Sequence, residues 1–149
     1  DQVADTPTTV FDESRLDFLA DLSEILLKKT GIRDFPDVVT FAFWCRKGNL
    51  IKVSTNASNN KLRLGLGMVF HISPSNVPIN FAFSLVFAFL AGNSCVVRLP
   101  SKDSDSASEV IGALSNLLES QKYLHFIPFI NLIAISGSLS IKIIDINKG

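Results

Sequence analysis

Cysteine is scarce in this chain: Cys45 and Cys95 are the only two in 149 residues. Neither belongs to a C-x-x-C pair or to a Cys/His cluster with metal-ligand spacing, so no metal site is expected. Such sparse thiols suit a reducing, cytoplasmic setting better than a disulfide scaffold. An excess of charge of either sign is also missing. Fourteen basic and fourteen acidic residues cancel, so no long-range field exists to gather nucleic acid or an anionic membrane surface. A secretory leader is lacking too. Asp1 stands where an initiator Met is expected, no basic, apolar, small-residue signal follows, and the chain reads as a processed or excised piece. Nor is there a continuous apolar run of spanning length. Ser73 to Val97 carries no charge, but Pro74 and Pro78 interrupt its start and Gly92-Asn93 splits the remainder. A membrane span needs about 20 unbroken apolar residues, so none is expected.

What the chain does have is a hydrophobic content of 47%, enough for a real core. Asp1 to Val10 is polar and Thr-rich, and reads as a loosely held arm whose deletion is tolerated. From Ser14 onward Phe18, Leu19, Leu22, Ile25 and Leu26 recur at helical spacing, with Asp17, Asp21 and Glu24 on the other side. That amphipathic helix ends near Gly31. Proline is tolerated in a first helical turn, so Phe35-Pro36-Asp37 opens a second helix that Arg46-Lys47-Gly48-Asn49 should end. Asn56 to Asn60 reads as an exposed loop.

The pattern then changes. Leu66 to Ile72 has strand character, Ile79 to Leu90 reads as a helix, and Ser94 to Leu99 as a second, buried strand. Ser106 and Glu109 have the S-x-x-E spacing of a capping box, ahead of an apolar stripe of Val110, Ile111, Leu114, Leu117 and Leu118. Phe129 to Ile135 suits a third parallel strand covered on both faces. The alternation predicts an α/β fold in which N-terminal helices precede a partial, truncated, doubly wound parallel sheet (β-α-β-α-β). The expected divisions are an arm with helices over 1–60, a partial dinucleotide-binding unit over 61–137, and a tail over 138–149 without an assigned role. Such sheets bind ligands outside the carboxyl ends of their strands.

The loop Ile72-Ser73-Pro74-Ser75-Asn76-Val77-Pro78 lies at the first of those ends. Pro74 and Pro78 stiffen it. Asn76 offers an uncharged amide that can donate to a developing oxyanion without adding a competing cation. The bland alternative is that its side chain bonds its own loop.

Two blocks carry a resemblance to a known family. GMVFHISPSNVPINF, from Gly67 to Phe81, and LAGNSCVVRLPS, from Leu90 to Ser101, resemble in order and spacing the cofactor-domain signature of the aldehyde dehydrogenase superfamily. The Ser-Asn-Val-Pro and Arg-Leu-Pro-Ser wording is similar to its acyl-CoA reductase branch, the fatty-acid reductase of bioluminescence. The resemblance is strongest from Arg63 to Lys102 and fades after Leu118. It implies an aldehyde dehydrogenase-like cofactor domain, with Asn76 in the oxyanion hole and Ile72, Ser73, Pro74 and Ser75 along the cofactor. It further implies an NADPH-dependent reduction of a fatty acyl-CoA or acyl-enzyme donor to aldehyde, through an acyl-cysteine thioester.

Departures from the family pattern shape the remaining expectations. The superfamily's ribose-contacting lysine falls at Leu99, leaving Arg98, Ser101 and Lys102 as the candidate phosphate contacts. A cation there suits a 2′-phosphate, so NADP is favoured over NAD. No cysteine aligns with the family nucleophile. The chain is therefore expected to be inactive alone and to need a C-terminal catalytic domain or an oligomeric partner. The alternative is a non-enzymatic, nucleotide-binding or self-associating remnant of the same fold. Cys95 in a buried strand should behave as a small hydrophobe, Cys45 beside Arg46 and Lys47 sits in a more activating setting without a base, and His71 should be a packed neutral imidazole. Gly65 and Gly67 form only a weak phosphate-loop signal, and Phe81, Phe83, Phe87 and Phe89 read as core rather than as an acyl tunnel.

Overall fold

In the computed structural model the described residues are 3, 6–57, 62–100, 102–136 and 140–143. Helix α1, Glu13–Lys28, starts where the Asp12 carboxylate accepts the Ser14 amide (3.0 Å), satisfying one of the donors a first helical turn leaves open. It buries Phe18, Leu19, Leu22 and Leu26 as its spacing predicts, while Ile25 stays exposed. Pro36 occupies the first turn of α2, Pro36–Trp44.

Helix α2 ends just before the basic run, as expected, but that run opens a further helix. The chain bends at Cys45 and helix α3, Lys47–Ala57, follows at once. Asn49 donates to the Phe43 carbonyl (2.8 Å), and the Asn49 and Leu50 amides both reach the Arg46 carbonyl. Only Leu50 of α3 is buried, so the segment lacks the apolar stripe by which helices are recognised. Asn56 and Ala57 belong to this helix rather than to a loop, and 58–60 lie outside the described residues.

Strand β1, Met68–Ile72, passes through α4, Asn80–Leu90, to the parallel β2, Ser94–Arg98. Helix α5, Asp105–Leu118, leads to β3, Ile130–Ser136, again parallel to its neighbour. The expected β-α-β-α-β unit is present, with sheet order β1-β2-β3-β4. The fourth strand, Ser140–Ile143, runs antiparallel to β3, and the short apolar patch of the tail did not disclose it. Helix α5 starts earlier than the S-x-x-E spacing suggests. Ser104 is its cap, while Ser106 donates to Asp37 (3.0 Å) and Glu109 pairs with Lys29. Both residues of the expected box are thus drawn into tertiary contacts with other elements.

Register puts Val69, Cys95 and Ile130 side by side, then His71, Val97 and Leu132. This face carries α4, because the Cys95 thiol points at the Leu85 carbonyl and His71 bonds Ser84. Helix α1 packs against both α4 and α5, so the helical layer is on one side of the sheet. On the other side Met68, Phe70 and Ile72 are exposed at 61%, 54% and 67%. Among the described residues no helix covers them, and the doubly wound arrangement is partial in this sense.

The N-terminal arm is held more firmly than its composition suggests. The Thr8 amide donates to the Gly92 carbonyl, the Gly65 amide to Thr8, and the Val10 amide to Arg63, each at 3.0 Å. The expectation of a loosely held arm over Asp1 to Val10 is corrected for Thr8 to Val10, where the main chain of Thr8 and Val10 pairs with Gly92, Gly65 and Arg63. Backbone pairing of this kind is independent of side-chain type, so polar composition could not reveal it.

Candidate functional site

The loops after β1 and β2 meet at the carboxyl edge of the sheet. Ile72 and Arg98 end the two strands as register partners, and Ile133 lies beside Arg98. Beyond Ile72, Ser73 is half-buried and Pro74 to Val77 are exposed. Ile79 is buried and anchors the loop where the Asn80 amide reaches the Val77 carbonyl (3.1 Å). Two prolines and a buried isoleucine thus hold Asn76 on an otherwise exposed loop.

An open cleft of ≈ 410 Å³ is lined by Ser75, Asn76, Pro78, Lys102, Asp103, Ser104 and Asp105. Asn76 and Lys102, expected from separate motifs, face one space. Among the described residues no hydrogen bond to the Asn76 side chain is formed. Ile72, Ser73, Pro74 and Arg98 lie nearby in the chain but do not line the cleft, and Ser101 is outside the described residues. Arg98 stands in register with Ile72, on the sheet face away from α4, whereas Leu99 is buried and its amide bonds the Ile133 carbonyl (2.8 Å). Alternation along β2 explains why the cation is displaced from the position that follows it.

The sequence reading missed Asp103, Ser104 and Asp105, although they directly follow Lys102. Together the cleft offers one cation, neutral donors on Asn76, Ser75 and Ser104, and two carboxylates that can accept from hydroxyls. This donor set fits a ligand bearing both a phosphate and a ribose.

The candidate nucleophiles are inert. Burial pushes the Cys45 thiol and the Cys95 thiol each up to about 12, so the neighbouring Arg46 and Lys47 do not activate Cys45. His71 Nδ1 lies 2.6 Å from Ser84 Oγ, its Nε2 is buried without a partner, and desolvation lowers its pKa. A packed neutral ring is what the sequence predicts. Among the described residues no cluster of His, Cys, Asp and Glu could hold a metal ion, and no helix is long and apolar enough to cross a membrane.

The Gly-Asn of the second motif is a structural clasp. Gly92 has φ +83°, and a Cβ there would sit 2.2 Å from the Thr8 carbonyl oxygen. Buried Asn93 accepts the Leu66 amide (2.6 Å) and donates to the Ala88 carbonyl (3.1 Å). Arg15, 1% exposed, completes the clasp by donating to the Phe89 (2.6 Å) and Asn93 (2.9 Å) carbonyls and stacking over Phe89. Its charge sits at the carbonyl end of α4, where a cation is favourable. Nothing in the spacing of α1 marks Arg15 as buried, since long basic side chains usually reach solvent.

A comparison with protein families matches residues 43–144 to acyl-CoA reductase (LuxC). Searches of curated proteins and of solved structures find no match.

Proposed function

The chain belongs to the acyl-CoA reductase (LuxC) family, which covers residues 43–144, and on that premise we propose that it forms the cofactor side of an NADPH-dependent reduction of a fatty acyl thioester to aldehyde. Membership implies a nicotinamide cofactor, which when bound supplies the hydride for the reduction. The observation that carries the reading is the meeting of Asn76 and Lys102 at one cleft on the carboxyl edge of a parallel sheet. Lys102 holds the phosphate-bearing half and favours the 2′-phosphate of NADP, a role the family resemblance extends to Arg98 and Ser101. Ser75 lines the cleft beside Asn76, and the family resemblance assigns Ile72, Ser73 and Pro74 to the cofactor's path toward the reacting end. Asn76 donates its amide to the oxygen that gains charge when the thioester carbonyl becomes tetrahedral, and the stiff loop spares it reorganisation at that moment.

The acyl group, delivered from acyl-CoA or an acyl-enzyme donor, needs a thiolate. With Cys45 and Cys95 both buried and raised to about 12, that thiolate comes from a further domain or partner. The same two thiols favour a second reading, in which the fold binds nucleotide without catalysis. Titration of the chain with NADPH and NADH decides between these readings and a defunct site. NADPH should bind, and Lys102→Ala should weaken it by about tenfold while affecting NADH less. Equal loss for both cofactors defeats the NADP assignment. The chain alone should show no acyl-CoA-dependent NADPH oxidation, and turnover that Asn76→Ala abolishes would overturn the need for an outside thiol.

A further inference from the structure

We propose that Asp37 is a positioning residue for the cleft, a role that rests on the reading of that cleft as a nicotinamide-cofactor site. It holds the first turn of α5, and with it the cleft wall from Lys102 to Asp105, against the loop of Asn76. Asp37 precedes residues 43–144, which the family covers, and it does not line the cleft. Its influence therefore runs through another side chain.

The wall is weakly fixed by its own sequence. Lys102, Asp103 and Asp105 are exposed, and among the described residues none of them forms an ion pair. Ser104 caps α5 with its hydroxyl 3.5 Å from the Ala107 amide, longer than the ~2.7–3.2 Å of an ordinary N–H···O bond. A helix start capped so loosely needs a second attachment if the groups on it are to stay in place.

Asp37 supplies it. The Ser106 hydroxyl donates to Asp37 Oδ1 (3.0 Å), and the same oxygen accepts the Val38 amide (2.9 Å). Asp37 and Ser106 are each the second residue of their helices, α2 and α5, so one carboxylate bonds into the first turns of both. Helix N-termini carry partial positive charge, which favours a carboxylate between two of them. Ser106 directly follows Asp105, so a shift of this turn displaces the cation and both carboxylates of the cleft together, and binding groups must be held closely to keep their affinity. The Lys29–Glu109 pair ties α5 to α1 one turn further from the cleft, and it serves as the control.

The test is titration of the full chain with NADPH and with NADH, paired with amide hydrogen exchange over 102–107. Asp37→Ala should weaken both cofactors by a similar factor, about three- to tenfold, because it displaces the wall rather than removing a charge from it. Asp37→Asn should restore binding, since its amide oxygen can accept the same two bonds. Ser106→Ala removes the Asp37–Ser106 bond from the other side with a smaller change; it should reproduce the loss and add nothing to that of Asp37→Ala. Exchange over 102–107 should rise in Asp37→Ala and return to the wild-type rate in Asp37→Asn. Lys29→Met should leave both affinities unchanged. Intact binding in Asp37→Ala and Ser106→Ala, no rescue by Asp37→Asn, losses that add, or equal weakening by Lys29→Met overturns the proposal alone. A wild-type chain that binds neither cofactor overturns the reading of the cleft and the proposal with it.

Discussion

Replacing Gly92 with alanine should destabilise the protein by about 2–4 kcal/mol, and most of that cost should depend on the N-terminal arm. The residue holds φ +83°, a region where an L side chain costs about 1–2 kcal/mol. Lower unfolded-state entropy returns about 0.4–1 kcal/mol of that. The added Cβ would lie 2.2 Å from the Thr8 carbonyl oxygen and 3.0 Å from the Gly65 nitrogen, so the arm must swing away. Two backbone bonds would then be lost, Thr8 to Gly92 and Gly65 to Thr8, both 3.0 Å, at about 0.5–1.5 kcal/mol each. Urea unfolding should show a lower midpoint with an unchanged slope. In a chain shortened through Thr9 the clash partner is gone, and the same substitution should cost about 1 kcal/mol or less, the backbone term alone. Equal costs with and without the arm would refute the clasp.

Two further outcomes follow from the titratable groups. His71 is held neutral by desolvation, with a folded pKa below 6.5, whereas the unfolded chain takes up its proton near that value. Between the two values the unfolded state binds more protons, so His71 contributes stability above pH 6.5 that is lost as the pH falls through the window. Urea midpoints of wild type and His71→Phe should diverge across it, and parallel pH profiles would sink the assignment. Cys45 and Cys95, each raised to about 12 by burial, should react with a thiol reagent at neutral pH only as fast as the protein unfolds. Fast labelling of either in the folded chain would contradict their placement.

Local chemistry determined much of this protein. The stripe Phe18, Leu19, Leu22, Leu26 specified α1, Pro36 opened α2, and the alternation of apolar strands with a helix-length apolar segment specified the parallel β1-β2-β3 unit. These signals rest on periodicity and turn chemistry, which act over a few residues. The loop bearing Asn76 was legible for the same reason: it sits between a strand and a helix.

Tertiary structure decided the rest. Helix α3 buries only Leu50, so its burial pattern is almost silent. Ser106 and Glu109 had the spacing of a cap and were claimed instead by Asp37 and Lys29 from other elements. Arg15 became a core residue because two main-chain carbonyls at the end of α4 needed a donor, a demand located 74 residues away in the chain. The carboxylates of Asp103 and Asp105 joined Asn76 only when parallel pairing brought the ends of β1 and β2 together. Which groups share a space depends on contacts between distant segments, and no local pattern records them.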